Sequence, residues 1–444
     1  MNIPRLQQLL RQGTFRILGT SVVDQVLLSA ANFFVGVLLI RYTSDADYGY
    51  FVLAQAAVLL VSSAQGAWIT GPLAVLAPKK SDAEARTMIG AVRQAQGRWL
   101  WRLSLLGVVL IGGGLLAGWL EQELAMVSLA GLLACWVGLQ REYCRSVLQI
   151  VRQPGWVLLA DVFYVVGLMA TAALAALGFK PAAVWAVLPL AVGGLAGALV
   201  ANLLIVRHYG WVEGDSAPVF RELRRLGNWA MLGAVIFWTY GQGFNYVTAA
   251  QLGVTAVAAL NAARLLIQPT FVLSMGVKQA LLPMASRWLA DFGMAGLLRR
   301  LTGVVGVMLA MNLAYFWLAY TFLDWLTLSF LRKEIPDRDA LVLLWGSYSL
   351  VVMVRDMFVT SLMAAERFQV LSGLTAATAV VALAVMWPAI EMLGTRGAVV
   401  GLLAGETFYS LVMFWLIAQS LRAERRANAT TGADGQAASH ADRG

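Results

Sequence analysis

Residues 184–206 read VWAVLPLAVGGLAGALVANLLIV, 23 positions without a single charge. A hydrocarbon core about 30 Å thick is crossed by about 20 such residues wound as an α-helix. The stretch lacks the two-residue alternation of a barrel strand. A helix also pairs its backbone N–H and C=O groups within itself, as lipid requires. Outward from this segment, similar runs recur along the chain at about 15–40, 51–76, 101–120, 124–139, 157–177, 229–252, 254–283, 301–323, 340–363, 370–390 and 397–419. The chain is 60% hydrophobic and only 13% charged, where a soluble domain carries about 25% charged residues. The sequence predicts an all-α integral membrane protein of about 12 transmembrane helices.

Lys and Arg in the short loops set the expected orientation. With the N-terminus inside, twenty-three fall on the inner side and six on the outer. That asymmetry places both termini in the cytoplasm. The net charge of +9 then reads as a bias toward anionic lipid heads, with membrane lipids as partners and no nucleic acid. The loop at 208–228 holds Gly210, Gly214 and Pro218 and leaves six helices on each side. The expected organisation is a lobe at 1–207, a cytoplasmic linker at 208–228, a second lobe at 229–421 and a disordered tail at 422–444. Residues 81–98 mix charged and small residues and are expected to form an amphipathic helix on the inner surface. Cys135 and Cys144 offer neither a disulfide framework nor a CxxC metal pair. No GxxxxGK[ST] is present, which argues against ATP as the direct energy source. No constellation resembles a catalytic site, so the protein is expected not to be an enzyme and to need no cofactor.

The first half contains Asp24-Gln25, Asn32-Phe33, Leu39-Ile40-Arg41 and Tyr48-Gly49-Tyr50-Phe51, then Gln140-Arg141-Glu142-Tyr143 with Arg145 and Arg152. The second half contains Asn261-Ala262-Ala263-Arg264-Leu265-Leu266, Pro269, and Gln279-Ala280-Leu281-Leu282-Pro283. These local sequences resemble the Wzx-type polysaccharide flippases of the multidrug/oligosaccharidyl-lipid/polysaccharide (MOP) exporter superfamily. The resemblance covers about residues 10–422 through diffuse motifs. It implies two six-helix lobes in a V, a central cavity and alternating access. It implies an undecaprenyl-pyrophosphate-linked oligosaccharide as cargo, flipped across the bacterial inner membrane for O-antigen, capsule or exopolysaccharide export. A polysaccharide polymerase and export machinery would be partners.

Charges inside membrane helices cost about 2.5–3.5 kcal/mol each on insertion scales and mark candidate sites. Arg264, Gln268 and Lys278 fall near one face of the helix at 254–283. Guanidinium binds phosphate oxygens in bidentate fashion and ammonium offers a movable point charge, so this set, with Arg355 and Arg41, suits a pyrophosphate. Arg355 and Asp356 either form an interhelical ion pair or part company, Arg355 facing the cavity. Asn245 belongs to a polar aromatic run that either packs or contacts sugar. Asp24 and Glu406 are deep carboxylates, expected either to carry H⁺ or Na⁺ or to be neutralised by a neighbouring arginine. Asp161 is read as interfacial. Pro269 is expected to kink its helix.

Two other functions compete. A cation or drug efflux transporter of the same superfamily calls for an acidic cavity, against which Arg264, Lys278 and Arg355 argue. A membrane polymerase or glycosyltransferase commonly carries a large outer loop with acidic or His residues. Here the longest outer loop is about 324–339, and both histidines, His208 and His440, lie on the inner side.

Overall fold

The computed structural model describes the backbone of residues 3–178, 182–365 and 367–441. It describes the side chains of 20 and 23–422, apart from 179–182, 225–226, 229, 279–280, 283, 366 and 368. Of the tail at 422–444 only the Arg422 side chain is described, and the α12 backbone runs on through it to Ala441. Among the described residues all regular structure is helical. The elements are α1 (Ile3–Tyr42), α2 (Asp45–Gln65), a π-turn (Gly66–Thr70), α3 (Gly71–Leu76), α4 (Asp82–Leu116), α5 (Gln122–Ile150) and α6 (Pro154–Ala176). They continue as α7 (Ala182–His208), α8 (Ser216–Leu252), α9 (Val254–Thr321), a second π-turn (Trp325–Leu331), α10 (Arg338–Ala364), α11 (Phe368–Leu393) and α12 (Thr395–Ala441). Eleven helices among the described residues are long and apolar enough to cross a membrane. The chain is a multi-pass membrane protein. Eleven of the twelve expected spans are matched in this set. The other, 229–252, is the second part of α8, which contains undescribed side chains.

Local sequence explains the boundaries. Ser44 accepts from the Asp47 N–H while the Asp47 carboxylate accepts from Ser44, and Ser81 and Glu84 do the same. These reciprocal caps satisfy backbone donors that a helix start otherwise leaves orphaned. Gly253 ends α8 at φ 85° and Gly394 ends α11 at φ 60°, conformations that cost a side-chain-bearing residue energy. The break in α9 is at Gly293 (φ 65°, ψ −175°), while the backbone at Pro269 stays helical.

Two expected surface segments are structured differently. Residues 81–98 form the first half of the continuous helix α4, with Met88, Ile89, Val92 and Ala95 buried in protein. Their apolar face meets Tyr143, Val147 and Leu148 of α5 and Ile205 of α7 in one core, so this is no helix lying on lipid. Residues 208–228 are helical from Ser216 onward, where Asp215 caps α8 by accepting from the Ala217 N–H at 2.9 Å.

Compactness divides the chain into two units, Met1–Leu265 with Leu331–Lys333, and Leu266–Phe330 with Glu334–Gly444. In the first unit α7 packs on α5 and α6, α1 on α6, and α2 on α5, α7 and α8. Gly193 permits the α6–α7 crossing: a methyl there would stand 2.9 Å from the Tyr164 carbonyl oxygen. In the second unit α12 packs on α10 and α11. Gly397, Gly401 and Gly405 recur every four residues along α12, and a methyl on Gly401 would stand 2.5 Å from the Met386 Cβ of α11. Small residues at this spacing let membrane helices approach backbone to backbone.

Candidate functional site

Each unit holds a cluster of charges inside its helices. In the first, Arg141 and Arg145 lie one turn apart on α5 and so share a face. Both reach Asp161 of α6. Arg141 bonds one carboxylate oxygen through Nη2, and Arg145 Nε bonds the other at 2.8 Å. Arg145 then extends Nη2 to Asp24 Oδ2 of α1 at 2.7 Å. Arg141 also bonds Glu142 at 2.8 Å and lies 3.8 Å above the Tyr164 ring. Asp24 is 4% exposed and Asp161 1%. Asp161 is thus the buried hub of the cluster, not the interfacial residue the sequence suggested. The reason is that α5 continues to Ile150, which carries Arg141 and Arg145 along the helix instead of into the expected loop. With every group ionised the cluster has two cations and three carboxylates, a formal excess of one negative charge.

The second unit holds a neutral counterpart. Lys278 Nζ of α9 lies 3.1 Å from Asp356 Oδ2 of α10. Arg355 touches the other Asp356 oxygen at 3.2 Å and reaches Glu406 Oε2 of α12 through Nε at 3.3 Å. Its guanidinium is 4.8 Å from the Tyr409 ring centroid. Glu406 is fully buried. Of the two readings left open for Arg355 and Asp356, the structure has the interhelical ion pairs, Arg355 with Glu406 and Asp356 with Lys278. A membrane-embedded charge costs less when a carboxylate stands beside it.

Arg264 is half-buried on α9, with its guanidinium 5.5 Å from the Phe244 ring centroid of α8. Gln268, one turn along α9, is half-buried as well. Arg41 ends α1 half-buried, 5.4 Å from the Tyr42 ring. Asn245 is fully buried and bonded on both sides. It donates to Gln242 at 3.0 Å and accepts from Asn261 at 2.7 Å. It joins α8 to α9 and, being fully buried, presents no accessible surface to a sugar.

Sequence reasoning missed Arg141 and Arg145 as members of a membrane charge cluster. The signal was available: Tyr143 with Val147, and Cys144 with Leu148, continue a four-residue apolar period past Leu139. It also missed Lys333, which bonds the Thr43 carbonyl oxygen and Asp45, each at 3.0 Å, and fastens the α1–α2 turn. Among the described residues no group of His, Cys, Asp and Glu is arranged to hold a metal ion.

No protein-family model and no curated protein sequence matches the chain. Solved structures do. A multidrug-resistance MATE-family transporter of the MOP superfamily, inward-facing, matches with a TM-score of 0.72 at 13% identity over 89% of this chain and 95% of that one. The lipid II flippase MurJ, inward-closed, also matches at 0.72, with 12% identity over 91% and 87%. The fold is that of the MOP-superfamily transporters. A MOP transporter from Pyrococcus furiosus, whose reversed pocket polarity is taken to suggest a different function, matches at 0.62 with 14% identity over 93% and 96%. The MOP fold therefore spans proteins of unlike cargo, and cargo has to be argued from side chains.

Proposed function

We propose that this MOP-fold protein is a transporter, not an enzyme, that flips an undecaprenyl-pyrophosphate-linked oligosaccharide between leaflets by alternating access. Arg264 carries the reading. It is an arginine within an apolar span, half-buried beside the Phe244 ring, and a guanidinium recognises phosphate oxygens in bidentate fashion. Gln268 and Arg41 are separate candidates, each to be tested on its own, and Lys278 and Arg355 are already paired within their own cluster. The presence of a lipid flippase among the matching folds is in keeping with this cargo class. The inner membrane, with both termini cytoplasmic, is the setting the proposal requires.

A second reading rests on the other cluster. Asp24, Asp161 and Glu142 outnumber Arg141 and Arg145 by one negative charge, which suits H⁺, Na⁺ or an organic cation. Asp24 is the proposed coupling group in either case, whether the cargo is lipid-linked sugar or a cationic drug. Glu406, ion-paired with Arg355, is a weaker candidate for coupling.

Reconstituted vesicles separate the two readings. Translocation of a fluorescent undecaprenyl-pyrophosphate oligosaccharide that is lost in Arg264→Ala supports the flippase. Uptake of an organic cation that is driven by a proton gradient, with no translocation of the lipid-linked sugar, overturns it.

A further inference from the structure

Midway along α4 and at the start of α8, a cavity of about 360 Å³ is lined by Arg98, Arg102 and Arg224 together with Trp68, Trp99 and Phe220. All three arginines are exposed. Among the described residues none of them forms an ion pair with a carboxylate. Acid is present close by in sequence but committed elsewhere: Glu222 of α8 pairs with Lys80 at 3.2 Å. The lining is therefore formally +3 with no acidic member.

Its walls are held in place. Arg98 Nη2 donates to Ser216 Oγ at the start of α8, at 3.2 Å. Trp68 donates its indole N–H to Asn228 at 2.9 Å and tilts against Phe220 at a centroid separation of 6.0 Å. Arg102 lies 5.8 Å from the Trp99 ring centroid. A pocket of this size holds a small ligand, and three guanidiniums with a hydroxyl make it selective for an oxyanion.

The helix surface leading out of the pocket identifies the source of that oxyanion. Trp99, Leu103, Leu106 and Leu110 follow one another at steps of four, three and four residues, one face of α4. They are 56%, 57%, 53% and 64% exposed, as are Trp101 (65%), Leu105 (53%) and Val109 (60%) on its other faces, so this part of α4 is an apolar surface open to lipid. Tryptophan at the start of such a stripe marks the membrane–water boundary. The stripe is continuous with the pocket because Trp99 belongs to both.

We propose that this pocket binds the phosphate headgroup of an anionic phospholipid, with its acyl chains along the Trp99–Leu110 face of α4. The site does not depend on what the protein transports. Native mass spectrometry of the full chain in neutral detergent tests it with phosphatidylglycerol, phosphatidylcholine and inorganic phosphate as probes. Phosphatidylglycerol is expected to be retained selectively over phosphatidylcholine. Each of Arg98→Gln, Arg102→Gln and Arg224→Gln should weaken it about five-fold, and the triple variant about a hundred-fold. Arg299→Gln, outside the pocket, should leave it unchanged. Leu106→Gln should weaken the phospholipid through its chains, and it provides a test that keeps every arginine should the triple variant fail to fold. Equal retention of both lipids, or retention unchanged in the single arginine variants, overturns the proposal. Displacement of the phospholipid by millimolar inorganic phosphate, with Leu106→Gln silent, makes this a free-anion site and overturns the lipid assignment.

Discussion

Arg145 donates to Asp24 at 2.7 Å while its Nε holds Asp161 at 2.8 Å, so one guanidinium bridges α1 and α6 from its place on α5. Removing it leaves two buried carboxylates facing each other with only Arg141 in compensation. Taking one partner from a buried ion pair typically costs about 3–5 kcal/mol. Arg145→Ala is expected to lose that order of stability in detergent thermal denaturation, and adding Asp24→Asn should recover part of it. Additive losses in the double-mutant cycle would mean that the two residues are not coupled.

Arg264→Ala is expected to abolish translocation of the lipid-linked sugar while leaving membrane insertion intact. Arg264→Lys distinguishes charge from geometry. A lysine keeps the charge and loses the planar fork, so low residual transport indicates bidentate phosphate binding. Substantial transport in the alanine variant would remove Arg264 from the mechanism.

For Asp24→Asn the expected outcome is slower transport that no longer responds to an imposed proton or Na⁺ gradient, with cargo binding retained. The membrane potential contributes about 2.3 kcal/mol per charge per 100 mV, which is the driving force the variant would forfeit. Transport in vesicles with and without each gradient measures it. Gradient-independent transport in the unmodified protein would make Asp24 purely structural.

Gly401→Ala should destabilise the second unit by about 1–3 kcal/mol, the usual cost of overpacking, because the new methyl meets Met386 at 2.5 Å. Gly233, where an added methyl would meet nothing within 4 Å, serves as the control. Gly233→Ala is expected to be neutral or slightly stabilising. The comparison is a pair of melting curves, and equal shifts would refute close packing at α12.

Cysteine labelling should find position 213 accessible only from the cytoplasm and position 334 only from outside, given the charge asymmetry of the loops. Labelling of both from one side would break the twelve-helix topology.

The membrane helices were legible because each needs only length and apolarity, properties local to a window such as 184–206. Partners were not. Nothing in a linear reading brings Asp24 to Arg145 or Arg355 to Glu406, since each pair is made by helices distant in sequence. The residue types of the site were visible, as deep charges, and neutralisation by a neighbouring arginine was one of the readings left open; which arginine meets which carboxylate was not visible. A linear reading misplaces Asp161 because uniform apolarity stops at Leu139, although one apolar face of α5 continues to Ile150. Asn245 shows the same limit: its polarity was evident, and its two amide partners, Gln242 and Asn261, were not.

The Asp24–Arg145 bridge spans 121 positions of chain, and the ribosome adds about 5–20 residues each second. Asp24 therefore waits about 6–24 s for its partner. Over that interval α1 carries an uncompensated carboxylate, so it either accepts a proton or lingers in a wet protein channel until α5 arrives. Arg355 and Glu406 are synthesised far closer together in time. The Asp24–Arg145 bridge is accordingly the one that closes longer after its first residue is made.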